Sequence, residues 1–76
     1  PIKKCLYGLG DKNIDITELF INLFVSDNKI KIKANTIFNN YFGDPVENVV
    51  KEIYVFLKDK TITINEYVKD NLVINI

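Results

Sequence analysis

The chain has 76 residues, of which 47% are hydrophobic and 12% aromatic, and it carries ten Lys against ten Asp and Glu. This composition excludes a disordered chain and predicts one globular domain over residues 1–76, whose single small core must supply nearly all of the stability. The zero formal charge and the absence of Arg disfavour a nucleic-acid partner, because phosphate contacts normally require a basic surplus.

The residue types that usually carry out chemistry are scarce. There is no His, which removes the usual general base, the nucleophile pairs that depend on it and the commonest metal ligand. The single cysteine, Cys5, excludes an internal disulfide and a cysteine-based zinc site, and we expect it to be a small buried side chain. We therefore expect a protein that is not an enzyme, with no catalytic residue, no metal and no cofactor.

No apolar run approaches the roughly 18 residues that span a bilayer, and no signal segment opens the chain. These features predict no membrane partner and an intracellular location, either in the cytoplasm or in a virion. The heavy use of Ile, Asn and Lys is typical of AT-rich genomes such as those of giant viruses. A virion-associated component is therefore one expectation.

The first predicted element is a strand over the segment "IKKCLYG". Alternation places Cys5 and Tyr7 on one face of this strand and Leu6 on the other. The turn-forming run from Gly8 to Asp11 is expected to end it.

The clearest helix signal is the segment "NIDITELFINLFVSDN". Asp15 is placed to cap the helix, with Glu18 as the second member of a capping box, and Asn28 is expected to stop it. The apolar residues recur at the spacing of one helical face, which predicts a short helix over residues 16–25 that packs on a sheet: Ile16, Leu19, Phe20, Leu23 and Phe24.

Two later segments alternate as half-buried strands do. In "KIKIKA" the lysines predict a solvated outer face, with an acidic partner surface as the alternative, and in "NLVINI" Val73 lies opposite the apolar face. A polar turn at residues 58–60 and the alternating "TITI" after it predict a hairpin.

The segment "DPVENVVKEIYVFLKDK" is compatible with two structures. Its apolar spacing fits a helical stripe, and Pro45 suits the first position of a helix. Against this, "IYVFL" is β-branched and aromatic and is apolar on both faces, as in a central strand. We favour the strand, with Ile53 on one face and Tyr54 and Phe56 on the other.

Together these elements predict an α+β fold that is predominantly β. About five strands form a sheet or a small sandwich, and the one short helix at residues 16–25 packs on it. The order along the chain is strand, helix, strand, long loop and three further strands.

The ordered set "CLYG", "DIT", "KIKI", "NTIFNNYFGDP", "VVKEIYV" and "TINEYVKDNLVI" resembles a small domain of unknown function. That domain is associated with the C-terminal region of a DnaJ-family co-chaperone and with modules appended to bacterial and fungal proteins. The resemblance covers nearly the whole chain and is carried mainly by Tyr7-Gly8, Asp15-Ile16-Thr17 and Phe42-Gly43-Asp44-Pro45. It implies a strand after Pro45 and supplies no catalytic residue. Ile16 replaces a Val of the family pattern, and the loop before Phe42 is longer than usual.

The loop "NNYFGDPVEN" has two interpretations. In the functional one, Asn40, Tyr41, Phe42 and Asp44 form a binding site whose aromatic rings and polar groups suit a sugar or a protein. In the structural one, Gly43 allows a sharp turn and Phe42 closes one end of the sheet. Either way, we expect Tyr41 to be more exposed than Phe42.

Two functions follow from these features. The first is a non-enzymatic structural or interaction protein that self-associates, since zero net charge weakens self-repulsion. Its interface is predicted at Tyr54, Phe56 and Val73. The alternative is a monomeric module that recognises a sugar or a protein through the loop at residues 38–48.

Overall fold

Two antiparallel sheets and two short helices surround one core in the computed structural model, which describes residues 1–76. The elements in chain order are β1 (Lys4–Leu9), β2 (Lys12–Asp15), α1 (Thr17–Phe24), β3 (Val25–Ser26), β4 (Lys29–Ile32), α2 (Asn39–Phe42), β5 (Glu52–Phe56), β6 (Thr61–Asn65) and β7 (Leu72–Asn75). The predicted β-rich α+β class is confirmed. The strands number seven, not about five, and a second helix lies inside the predicted loop.

One sheet has the strand order β2-β1-β5-β6 and the other has the order β3-β4-β7. The inner faces of both sheets contribute to one hydrophobic cluster, to which α1 adds Ile16 and Phe20. The residues of this cluster are Cys5, Tyr7, Ile16, Phe20, Ile30, Ile32, Phe38, Ile53, Val55, Ile64 and Val68. The predicted alternation is confirmed in β1, β4, β5 and β7, where the expected inward side chains are the more buried ones.

The first strand ends within the predicted turn-forming run from Gly8 to Asp11, as expected. It continues to Leu9 and returns as β2 through the two residues Gly10 and Asp11. Gly10 has a φ of +59°, as the first position of a type II′ hairpin turn requires. Gly8 has a φ of +154°, and a Cβ there would overlap the carbonyl oxygen of Lys12. Only glycine therefore permits β2 to lie this close to β1.

The predicted helix stop is a hairpin turn. The helix α1 ends at Phe24, and Asp27 and Asn28 then connect β3 to β4 with φ values of +54° and +58°. Two consecutive positive φ angles define a type I′ turn, whose twist matches that of the flanking strands. The left-handed Asn28 is thus confirmed, but it closes a hairpin.

Asp15 holds the start of α1, as predicted. It lies one residue before the helix cap, however, whereas a capping box requires it at the cap. Its Oδ1 accepts hydrogen bonds from the backbone N–H of Thr17 at 2.9 Å and from the Thr17 hydroxyl at 2.6 Å. Glu18 makes no reciprocal bond, and the residue at the helix cap is Ile16. The capping box is therefore wrong, and an Asx-type turn takes its place.

The ambiguous central segment contains a strand and no helix. Residues 43–51 form turns and irregular backbone, and β5 follows at Glu52–Phe56 between β1 and β6. The β-branched and aromatic composition thus prevailed over the helical spacing. Neither helix of the fold has the length and apolar character needed to cross a membrane.

Candidate functional site

The helix α2 is a single turn that rests on aromatic side chains. Phe38, which precedes it, is fully buried, and Phe42 packs against the edge of the core. Tyr41 points the other way and is 50% exposed. Its ring meets Phe24 of α1 edge to face, with centroids 5.7 Å apart, a geometry that aromatic pairs favour. The expected exposure of Tyr41 is confirmed.

Tyr41 and Phe42 line an open cleft of about 710 Å³, which we call the aromatic cleft. Ile14 near the end of β2 and Leu19 in the first turn of α1 line it too. The side chains of Ile14, Leu19 and Tyr41 are each more than one third exposed. The remaining residues of the cleft are Lys3, Lys4, Asp15, Ile16, Thr17 and Glu18. The cleft thus combines apolar side chains with charged groups of both signs.

The structure brings together two of the four predicted loop residues. Tyr41 and Phe42 line the aromatic cleft, whereas Asn40 is exposed outside its lining. Asp44 is not available to a ligand in the predicted way, because its Oδ1 lies 2.9 Å from Nζ of Lys51. Asn39 is occupied too, since its Oδ1 accepts a 2.6 Å hydrogen bond from the Tyr7 hydroxyl.

Lys51 is the centre of a polar network that the sequence did not predict. Only 2% of this residue is exposed. Its ammonium group lies 2.9 Å from Asp44 and donates to the backbone oxygens of Val49 and Val46 at 3.0 and 3.1 Å. Oε1 of Glu66 lies 3.4 Å away and also accepts the backbone N–H of Lys51 at 2.8 Å. All three ammonium protons therefore have acceptors, as a buried charge requires.

Lys51 remains charged in this setting. Burial by itself lowers the pKa of its ammonium group, but hydrogen bonds and charge attraction from Asp44 and Glu66 outweigh it and raise that pKa. A catalytic lysine needs the opposite shift, toward the neutral amine. The geometry therefore describes a structural cation.

Tyr7 connects this network to the start of α2. Its hydroxyl lies 2.6 Å from Oδ1 of Asn39 and 3.3 Å from Oε2 of Glu66. Burial and the negative charge of Glu66 raise the pKa of Tyr7 well above its usual range. The helix α2 is therefore held at its first residue through Asn39 and just beyond its last through Asp44. Glu66 contacts the two residues that hold these anchors, Tyr7 and Lys51. This arrangement fixes the backbone that carries Tyr41.

A signal for Lys51 was present in the sequence. Lys51 precedes Ile53 by two residues and Val55 by four. If the predicted strand begins at Lys51, its side chain therefore points to the same inward face as theirs. Glu66 has the parity of Ile64, and its backbone N–H donates to the carbonyl oxygen of Lys51 at 2.9 Å. Lys51 and Glu66 have opposite charges, pair across neighbouring strands and both point inward. This combination predicts a buried ion pair.

The three predicted interface residues do not form one surface. Tyr54 and Phe56 lie on β5 in the first sheet and are half-buried on its outer face. Val73 lies on β7 in the second sheet, opposite Lys31, and is 61% exposed. Because the inner faces of both sheets share one core, these outer faces point away from each other.

Cys5 is fully buried in β1, as expected. Burial, with a smaller contribution from the charge of Asp15, raises the pKa of its thiol to about 12. The thiolate is the nucleophilic form, so this side chain packs as a hydrophobe at neutral pH. No group of three or more Cys, Asp or Glu side chains is placed to hold a metal ion.

No protein-family model, no curated protein and no solved structure matches this chain. The resemblance to a domain associated with a DnaJ-family co-chaperone therefore stays a prediction. What is known of the site rests on its own geometry.

Proposed function

We propose that this chain is a non-enzymatic interaction domain that binds an apolar segment of a partner protein in the aromatic cleft. The observation that carries the proposal is the placement of Tyr41. It is half exposed beside Leu19 and Ile14, although a core this small gains from every apolar side chain that it buries. Exposed apolar groups that line one concave surface are typical of a binding site.

A protein segment is a better ligand than a sugar. Sugar recognition needs free polar groups beside an aromatic ring, in line with the general rule that a few polar groups orient a ligand. Here Asn39 is bonded to Tyr7 and Asp44 to Lys51, so two polar side chains of the loop that carries Tyr41 are already used. The apolar side chains that line the cleft remain as the main source of binding free energy.

The charges around the cleft indicate which kind of protein segment would bind there. Lys3 and Lys4 line the cleft just before and at the start of β1, and Glu18 lines it in the first turn of α1. Asp15 is less available because it holds the Thr17 amide and hydroxyl. A segment with an apolar centre and flanking charges of both signs would complement this surface, with the charges setting orientation and the apolar groups setting affinity.

A random 12-residue peptide library displayed on phage would test the proposal, with the purified protein as bait. We expect the selected peptides to carry apolar or aromatic residues and to lose at least tenfold in affinity for Tyr41→Ala, the scale of one truncated aromatic contact. The matched control is Tyr67→Ala, because Tyr67 is 64% exposed outside the cleft. Equal binding to both variants, or no enriched peptide, would contradict the proposal.

Self-association is the second candidate function. Its support is the zero formal charge together with apolar side chains exposed away from the cleft, among them Val73 at 61% and Tyr67 at 64%. Light scattering coupled to size exclusion, from micromolar to millimolar protein, tests it. A mass that stays at 8.8 kDa throughout would remove this candidate.

A further inference from the structure

The strand β6 forms one edge of the four-stranded sheet. Hydrogen bonds at both of its ends determine which of its residues bond to β5. The Leu57 N–H donates to the oxygen of Lys60, and the Glu66 N–H donates to the oxygen of Lys51, each at 2.9 Å. Bonded and non-bonded pairs alternate along an antiparallel ladder. The intervening pairs that bond to β5 are therefore those of Ile62 and Ile64.

It follows that the backbone groups of the other β6 residues point away from β5. Thr61, Thr63 and Asn65 pair with β5 at the non-bonded positions, and no strand lies on their other side. Three N–H and three C=O groups, evenly spaced in register, thus face outward from the end of the sheet. This row is a template for another extended strand.

The edge of β6 lacks the features that normally prevent such pairing. Its five residues, Thr61–Asn65, include no charge and no proline. By comparison, β2 carries Lys12 and Asp15, and β3 has only two residues. The other uncharged edge, β7, offers fewer groups, because the bond from Ile76 to Asn28 sets a phase in which only Val73 and Asn75 face outward.

We propose that β6 of this chain pairs antiparallel with β6 of a second copy, about a two-fold axis at Thr63. This inference rests on the self-association put forward above and gives it a site. The pairing sets Thr63 opposite Thr63 of the second copy and Thr61 opposite its Asn65. All six outward backbone groups of each copy then find partners, so the two sheets join into one of eight strands.

No like charges meet in this register. Lys60 of each copy comes opposite Glu66 of the other, whose carboxylate is held within its own chain by Lys51 and Tyr7, and the residues between them are uncharged. A Thr pair directly opposite on one face is also a favourable cross-strand contact. The isologous arrangement therefore needs no compensating change in either copy.

An apolar surface adjoins this edge. A cleft of about 380 Å³ separates β6 from β7 and is lined by Ile64, Val68, Leu72 and Ile74, with the exposed ring of Tyr67 beside it. A second copy seated on the edge would cover part of this surface. Backbone pairing would set the register, and apolar burial would add free energy.

Two variants test the edge without disturbing β5. Thr63→Pro removes an outward N–H that makes no bond within the chain, a position where proline is compatible with an edge strand. Thr63→Lys places like charges opposite each other. The matched control is Asn22→Lys, which adds the same charge at an exposed position of α1. By sedimentation equilibrium we expect both Thr63 variants to weaken dimerisation about tenfold or more, and Asn22→Lys to leave it unchanged.

Amide hydrogen exchange provides the independent readout. In the dimer we expect the amides of Thr61, Thr63 and Asn65 to gain protection as concentration rises, while Ile62 and Ile64 are protected throughout. If both Thr63 variants dimerise as the wild type does, and the Thr63 amide of the wild-type dimer stays in fast exchange, the β6 site is overturned and self-association is kept. A monomer at millimolar concentration would overturn both.

Discussion

The ammonium nitrogen of Lys51 lies 2.9 Å from a carboxylate oxygen of Asp44. Only Gly43 separates Asp44 from the end of α2, so a nearly buried cation holds the chain at that end of the helix. Tyr7 holds Asn39 at the other end of the same helix. Between the two anchors, Tyr41 is the aromatic residue left exposed. The polar network and the aromatic cleft are therefore two parts of one arrangement.

Removing the buried cation should destabilise the fold strongly. Lys51→Met leaves Glu66 buried without its counter-ion, and breaking a buried pair typically costs about 3–5 kcal/mol. We expect the lower end of that range, since the Asp44 side chain is 34% exposed and can be hydrated. Urea denaturation measures the loss.

The matched variant is Lys51→Met combined with Glu66→Gln. It removes the charge stranded by the first substitution and should recover part of the loss. An unchanged urea midpoint for Lys51→Met alone would show that the network contributes nothing to stability.

The free energy of unfolding should fall as the pH rises above about 10, where the side chains of Tyr and Lys usually lose their protons. The pKa values of Tyr7 and Lys51 are both raised in the folded state, so the folded protein binds these protons more tightly than the unfolded chain. Their contribution is complete below the unfolded pKa values and is lost as the pH passes through the folded ones.

The measurement is the free energy of unfolding at pH 8, 10 and 11. Tyr7→Phe removes one of the groups whose pKa is raised by folding, so its stability should decline less steeply than that of the wild type over this range. Parallel curves for the two proteins would refute a role for the Tyr7 hydroxyl in this decline. At pH 8 the variant should already be less stable by about 1–2 kcal/mol, because Asn39 and Glu66 lose a donor.

Gly8→Ala should disrupt the first hairpin, because the added Cβ overlaps the backbone of Lys12. We expect a loss above about 2 kcal/mol, from steric strain together with the unfavourable φ. Gly10→Ala is the control, since its φ is also positive but no atom lies within 4 Å of an added Cβ. That variant should cost about 1–2 kcal/mol, from its positive φ alone. Equal thermal shifts for the two would contradict the role assigned to close packing.

Alternation predicted most of the sheet but missed its short strands. The segment from Lys12 to Asp15 carries a single apolar side chain, so no periodic signal marks β2. Val25 and Ser26 follow a helical stripe directly, and tertiary pairing with β4 decides their conformation. Elements of two to four residues depend on neighbours distant in sequence, which local patterns do not encode.

For a similar reason, only part of the candidate site could be predicted from the sequence. Tyr41 stood out because an aromatic residue beside Gly43 and Pro45 is conspicuous in a loop. Lys51 did not, since a lysine is normally placed on a solvated face. Its two carboxylate partners come from separate segments, and only the folded chain brings Asp44 and Glu66 to one nitrogen.

The most direct test of the central claim is an amide chemical-shift map of the labelled protein, titrated with a peptide selected from the library. We expect the largest changes at Ile14, Leu19, Tyr41 and Phe42, with little change along β6. Changes concentrated on β6, or on the outer face at Tyr54 and Phe56, would contradict the assignment of the aromatic cleft as the binding site.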